Sequence, residues 1–304
     1  MRADCAEGVM LGLACGDALG RPIEFKSSQE IESQYGTLTE MVGNGTWGQP
    51  AGTITDDTDQ ALCIARSVVE QGEFVPSDIA RRFVGWYDSG PFDIGIMTRQ
   101  SIEKLKQDHS WDKAGQEVWE ASPEGSNAGN GSVMRCPPLA IAYAADPDDL
   151  VTVSRYSSRI THADPRCTYG CAVLNFTIAG YLTDKNEPLA RALDRVRPDA
   201  PDEVIGALEP LIAGYQPDTL STSGYVIHTL QTALHDAIRA DTAEDAIVTA
   251  VNRGGDTDTI GAITGAVAGA RFGANELPKR WLDEIDEEQE LRQLAADLLD
   301  VGAN

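Results

Sequence analysis

Two carboxylate clusters lie far apart in the chain and carry the same chemistry: Thr55-Asp56-Asp57-Thr58-Asp59 and Gly254-Gly255-Asp256-Thr257-Asp258-Thr259. Each directly precedes an amphipathic stretch. A carboxylate at a helix N-terminus caps free N–H groups and opposes the positive end of the dipole. One cap needs one carboxylate, however. Adjacent carboxylates repel unless something positive lies between them, and a divalent cation is the strongest candidate. Carboxylates with threonine hydroxyls are hard oxygen ligands, suited to Mg²⁺ or Mn²⁺ rather than zinc. If the clusters converge, they could hold two ions close enough to orient water and clamp substrate oxygens. On residue chemistry alone, double helix capping and cation binding both stand.

Two further features could serve a ligand. Gly129-Asn130-Gly131-Ser132-Val133-Met134-Arg135 runs into Pro137-Pro138 and an apolar stretch. A glycine-rich turn ahead of a helix offers N–H groups to an anion, although tight turns need glycine for geometry alone. In a chain of net charge -24 an anionic ligand would need local help of this sort. Thr161-His162-Ala163-Asp164-Pro165 sets a histidine between a helix end and a proline, where side chains can face a cleft. A lone histidine is more often structural.

The elements that position these residues read almost entirely as helix. Leu62, Ala65 and Val69 fall on one stripe, as do Ile260, Ile263 and Val267, and Val204, Leu208 and Leu211. The spacing predicts another helix over Tyr225 to Ile238. Apolar/polar alternation is nearly absent, so no sheet is expected. Gly8 to Gly20 reads as a buried helix with close neighbours, because glycine lets backbones approach. The longest irregular stretch, about Tyr35 to Thr55, is glycine-rich and long enough to suggest function. No shift in composition marks a boundary, so one mostly helical domain over 1–304 is expected.

Composition narrows the function classes. Hydrophobic residues make up 42% of the chain, which suits a globular protein. Acidic residues number 48 against 24 basic ones, of which only six are lysines. Such a surface repels phosphate backbones, so general nucleic-acid binding is not expected. Acidic excess with few lysines suggests a coat suited to high salt and a halophilic source. Asp146-Pro147-Asp148-Asp149 and Asp283 to Glu290 read as that coat. No apolar run is long enough to span a bilayer, and Met1-Arg2-Ala3-Asp4 lacks the layout of a signal peptide. A cytoplasmic protein with no membrane partner is expected. The cysteines at 5, 15, 63, 136, 167 and 171 show no Cys-x-x-Cys spacing and read as free thiols.

Taken in order, the motifs resemble the ADP-ribosylglycohydrolase family. The match begins at Gly12-Leu13-Ala14-Cys15-Gly16-Asp17-Ala18-Leu19-Gly20 and Pro22-Ile23-Glu24-Phe25. It continues through Thr55-Asp56-Asp57-Thr58, Gly129 to Arg135 and Thr161-His162-Ala163-Asp164, and closes at Gly254 to Gly261. The resemblance implies a compact all-α, single-domain orthogonal helical bundle with two divalent cations, Mg²⁺ or Mn²⁺, in a cleft. Thr55, Asp56 and Asp57 look like one set of metal ligands, and Asp256, Asp258 and Thr259 like the other, with Asp258 bridging. Glu24 resembles the family's flexible acidic residue near the metals. Asn130, Gly131 and Ser132 match the loop that cradles diphosphate and ribose, and His162 matches a histidine of the substrate pocket. Asp93, in Pro91-Phe92-Asp93-Ile94-Gly95, resembles an acidic residue used by some members.

The implied reaction is hydrolysis of the bond from ribose C1″ to a modified protein side chain or small molecule, through an oxocarbenium-like state. Glu24 or Asp93 is the acid/base, and the sequence does not choose between them. Selectivity is expected in the loops Tyr35 to Thr55 and Pro217 to Ser223. Alternatives are a catalytically silent, crystallin-like relative, an ADP-ribose binding module, and a metal-dependent hydrolase of another ribosylated molecule. A monomer is the default expectation.

Overall fold

The computed structural model describes residues 3–214 and 220–303, and among these it contains sixteen α-helices and no strand. The all-α expectation is met. Two helices at the centre, Ala3–Gly20 and Thr257–Phe272, are apolar nearly all round and buried along nearly all their length. They lie backbone against backbone. A Cβ on Gly12 would stand 2.1 Å from the carbonyl oxygen of Gly265, and one on Gly16 would stand 1.9 Å from that of Gly261. Gly8 meets Gly269 in the same way, so four-residue glycine spacing on both helices makes one continuous seam. Pro165–Leu182 is a third helix buried on most sides.

Outer helices bury one stripe each. In Pro188–Val196, for example, Leu189, Ala192, Leu193 and Val196 face inward. Asp146 is more than surface coat: its side chain accepts from Asp148 N and Asp149 N and caps the Pro147–Arg159 helix. The helix expected from Tyr225 spans Val226–Arg239, with Tyr225 as its N-cap. All six cysteines are buried. Among the described residues no helix is long and apolar enough to cross a membrane.

Gly20 ends the first helix against Thr257, where a Cβ would lie 2.2 Å from the Thr257 oxygen. The seam therefore delivers Glu24, just past one helix, beside Asp258, just inside the other. The Asp56–Gln71 helix reaches the same end of the molecule through Asp17, on the first helix.

Candidate active site

Capping at the first cluster is shared between Thr55, the N-cap itself, and Asp17, which lies outside the cluster. Asp17, fully buried, accepts from Thr55 N at 3.1 and 3.0 Å on its two oxygens, from Thr58 N at 3.2 Å and from the Thr58 hydroxyl. Thr55 Oγ1 accepts from Asp57 N at 3.4 Å. Asp56 and Asp57 are thus released from capping, and double capping does not account for them. In the second cluster Asp256 is the N-cap residue yet makes no cap hydrogen bond, while Asp258 Oδ1 accepts from Thr259 N at 2.9 Å.

The clusters converge. Asp57 Oδ2 accepts from Thr55 Oγ1 at 3.2 Å and from Thr259 Oγ1 at 3.4 Å, and its Oδ1 is buried without any partner. Carboxylate oxygens of Glu24, Asp93 and Asp258 all lie within 4.8 Å of one another. The two acid/base candidates therefore sit beside Asp258 instead of standing apart from the clusters. Asp256 Oδ2 accepts from Asn130 Nδ2 at 2.6 Å, and the same amide nitrogen donates to Thr229 Oγ1 at 3.0 Å.

Seven carboxylates share this region: Asp17, Glu24, Asp56, Asp57, Asp93, Asp256 and Asp258. Every one is pushed above its ordinary range. Burial, then Asp93, lifts Glu24 to about 8. Burial, then Asp256, lifts Asp93 to about 6, and burial lifts Asp17 to about 7. Asp56, Asp57 and Asp258 are raised well above the usual value by burial and then by a neighbouring carboxylate, Asp93 for Asp56, Asp17 for Asp57 and Glu24 for Asp258. Burial raises Asp256 as well. Such a group needs positive charge. With only hard oxygen donors and an orphaned buried Oδ1, the donor set fits divalent Mg²⁺ or Mn²⁺ rather than zinc.

A cleft of about 770 Å³ opens onto this group, lined by Glu24, Asp56, Asp93, Asp256, Asp258 and Thr259, and also by Gly129, Asn130, Gly131 and His162. The Tyr35–Thr55 loop contributes Trp47, whose Nε1 donates to Glu24 Oε2 at 2.5 Å. Buried Arg21 ties that loop down, donating to the carbonyls of Thr53, Asn44 and Pro50 at 3.0, 3.2 and 2.8 Å. Five large hydrophobic residues are exposed among the described residues, and three of them surround this cleft. Phe25 (68% exposed) and Ile96 (76%) line it, and Phe92 (37%) packs on Trp47. Thr222, Ser223 and Gly224 border it as well; residues 217–219 of the second expected selectivity loop lie outside the described residues.

Ser132 is buried and does not line the cleft; its Oγ lies 2.9 Å from Ser158 Oγ, behind the glycine loop. His162 does line it. A Cβ on Gly131 would stand 2.9 Å from His162 Cε1, so glycine is required where the loop crosses the ring. Burial and the nearby Arg135 push His162 down to about 3, leaving it neutral. Arg135 is fully buried. It donates to Gln60 Oε1 at 2.5 Å and to Thr161 Oγ1 at 2.7 Å, and Gln60 in turn donates to Asp56 Oδ2 at 3.3 Å.

Sequence reasoning assigned no role to Asp17, Trp47, Gln60, Thr98 or Arg135. Asp17 and Arg135 stand inside motifs already singled out, so their charge in an apolar setting was an available signal. Thr98, whose buried hydroxyl has no partner and which lines the cleft, carries none.

The family model described as ADP-ribosylglycohydrolase matches residues 1–304. The chain is 34% identical over 298 residues to the ADP-ribosyl-[dinitrogen reductase] glycohydrolase of Rhodospirillum rubrum, covering 97% of this chain and 96% of that one. It is also 34% identical over 308 residues to the ADP-ribosylarginine hydrolase Tri1 of Pseudomonas putida (strain GB-1), covering 98% and 78%. A solved structure titled ADP-ribosylglycohydrolase-related protein complex superposes with a TM-score of 0.81 at 32% identity, covering 99% of this chain and 98% of that one.

Proposed function

The chain belongs to the ADP-ribosylglycohydrolase family, and from that premise we propose a hydrolase that removes ADP-ribose from a modified protein side chain with the help of two divalent cations. The observation that carries this reading is the gathering of seven raised carboxylates at one cleft, five of them lining it, with Asp57 Oδ1 left without a partner. Thr55, Asp56 and Asp57 would hold one ion and Asp256 and Thr259 the other, with Asp258 between them. Bound there, Mg²⁺ or Mn²⁺ would supply a grip on vicinal ribose hydroxyls and Lewis acidity toward water.

The chain's own residues carry the remaining steps. Cleavage at ribose C1″ needs an acid for the leaving atom and a base for water. Glu24 and Asp93, the two carboxyls beside Asp258, are the residues for these roles, Glu24 being held higher than Asp93 by burial and by Asp93 itself. Environments that push two carboxyls apart assign acid and base in this way. Trp47 orients Glu24 through the bond to Oε2, and Asn130 restrains Asp256.

The exposed Phe25, Phe92 and Ile96 around the mouth favour a substrate carried on a protein. One relative's name specifies ADP-ribosylarginine, so the arginine linkage comes first. The test is release of free ADP-ribose from an arginine-ADP-ribosylated protein with Mn²⁺ or Mg²⁺ in high salt, then with EDTA. Release abolished by EDTA is expected. Mn²⁺ binding by calorimetry without release would move the reading to another linkage, and neither release nor binding would sink it.

A further inference from the structure

Thr161 Oγ1 sits between two nitrogens. It lies 2.7 Å from Arg135 NH2 and 2.7 Å from His162 Nδ1, and it has no other side-chain or backbone partner among the described residues. A guanidinium only donates, so the Thr161 oxygen must accept from it. The hydroxyl has one proton, and His162 Nδ1 is the acceptor left to receive it. Nδ1 then holds no proton, and in a neutral ring the proton is on Nε2. Nε2 has no partner among the described residues, and the ring lines the cleft beneath Gly129 and Gly131.

We infer that Arg135 is a positioning residue that holds His162 as the Nε2–H tautomer, so that the ring presents a neutral donor to a ligand oxygen in the cleft. The backbone on either side is equally constrained. His162 N donates to Ser158 O at 2.7 Å, its carbonyl accepts from Ser158 Oγ at 2.8 Å, and the Thr161 carbonyl accepts from Ser101 Oγ at 3.1 Å. The ring cannot turn over to exchange its nitrogens without breaking the Thr161 bond. His162 is thereby a binding group and not an acid or base: one nitrogen is engaged as an acceptor and the other already carries its proton. Through Gln60, the second arm of the same guanidinium bears on Asp56, so one buried cation sets a residue on each side of the cleft.

The ligand half of this inference rests on the proposed function, and the tautomer half does not. The experiment reads both in the full chain: two-bond ¹H–¹⁵N correlation of the histidine rings without metal, with the His162 signal identified by its loss in His162→Gln, and ADP-ribose binding by calorimetry after Mn²⁺ is added. The wild type should show a pyridine-type Nδ1 and a pyrrole-type Nε2 that do not titrate between pH about 5 and 8. Thr161→Val should admit the other tautomer and weaken ADP-ribose binding about tenfold, the worth of one hydrogen bond. Thr161→Ser should restore both. Arg135→Lys keeps the charge without the fork and should also mix the tautomers; if it does not fold, the Thr161 pair carries the test. A protonated Nδ1 in the wild type, or Thr161→Val with unchanged spectrum and affinity, would overturn the inference. The expected spectrum with no ADP-ribose affinity would overturn the ligand half and the proposed function together.

Discussion

The glycine seam and the acidic cleft at its end are built from opposite materials. Along the seam, Gly8, Gly12 and Gly16 meet Gly269, Gly265 and Gly261 with no room for a methyl group. It holds no charge, and packing decides everything there. In the cleft, seven carboxylates are crowded into a buried space that raises all of them. A region that loses stability by its own charge can persist only on a frame that does not yield. The rigid half tolerates no change of volume, and the charged half should gain stability from changes that abolish its work.

The sharpest way to break this comparison is at the seam. Gly12→Val would drive a side chain into the Gly265 carbonyl. A loss of more than ~4 kcal/mol is expected, the range of steric failure in a core. Circular dichroism of the purified variant checks it, and a folded protein with the wild-type melting temperature would refute the seam's role.

The same test in the cleft should come out with the opposite sign. Asp258→Asn removes one of the mutually repelling charges beside Glu24, Asp57 and Asp256. ADP-ribose release should fall at least ~100-fold, since even outer-shell partners of metals are worth ~10–100-fold. Without metal, the variant should melt ~1.5 °C higher or more, about 1 kcal/mol in a chain of this size. Lower melting without metal would mean that the carboxylates support the fold and that the contrast is wrong.

The smallest expected effect is on pH dependence. Glu24 and Asp17, raised to about 8 and about 7, keep protons in the folded chain that the unfolded chain has already released. The folded state binds more protons there, so stability falls as pH rises through that interval. Most surface carboxylates are ionised by pH about 6, and His162, held down to about 3 in the fold, acts in the opposite sense up to about 7, so a net fall between about 6 and 8 reports the raised carboxylates. Mn²⁺ should raise the melting temperature more at pH 8 than at pH 6, because protons compete with it for the same oxygens. A metal-free melting temperature that is flat or rises across this range would count against the charged cluster.

Much of this was legible in the residues themselves. The four-residue glycine spacing from Gly8 to Gly20 predicts close helix contact, because only glycine permits it, and the Thr257–Phe272 helix supplies the matching glycines. Helix periodicity from Thr58 and from Ile260 survives in the structure because each stripe repeats at a local spacing that any window can read. The motifs also named Asp57 and Thr259, which lie 3.4 Å apart at their side chains although more than half the chain separates them.

What tertiary structure alone decided is which partner each group has. Asp17 looks like part of a glycine motif, yet it caps a helix that starts decades of residues later and so frees Asp56 and Asp57. Ser132 belongs to the glycine loop and turns behind it to Ser158. Gln60, Trp47 and Thr98 carry no local signal, because a hydrogen bond depends on position in space and not on neighbours in the chain. Residue types and spacing determined the helices, the seam and the chemistry available. Packing those helices determined which carboxylates meet, which remain without a partner, and which histidine nitrogen faces the cleft.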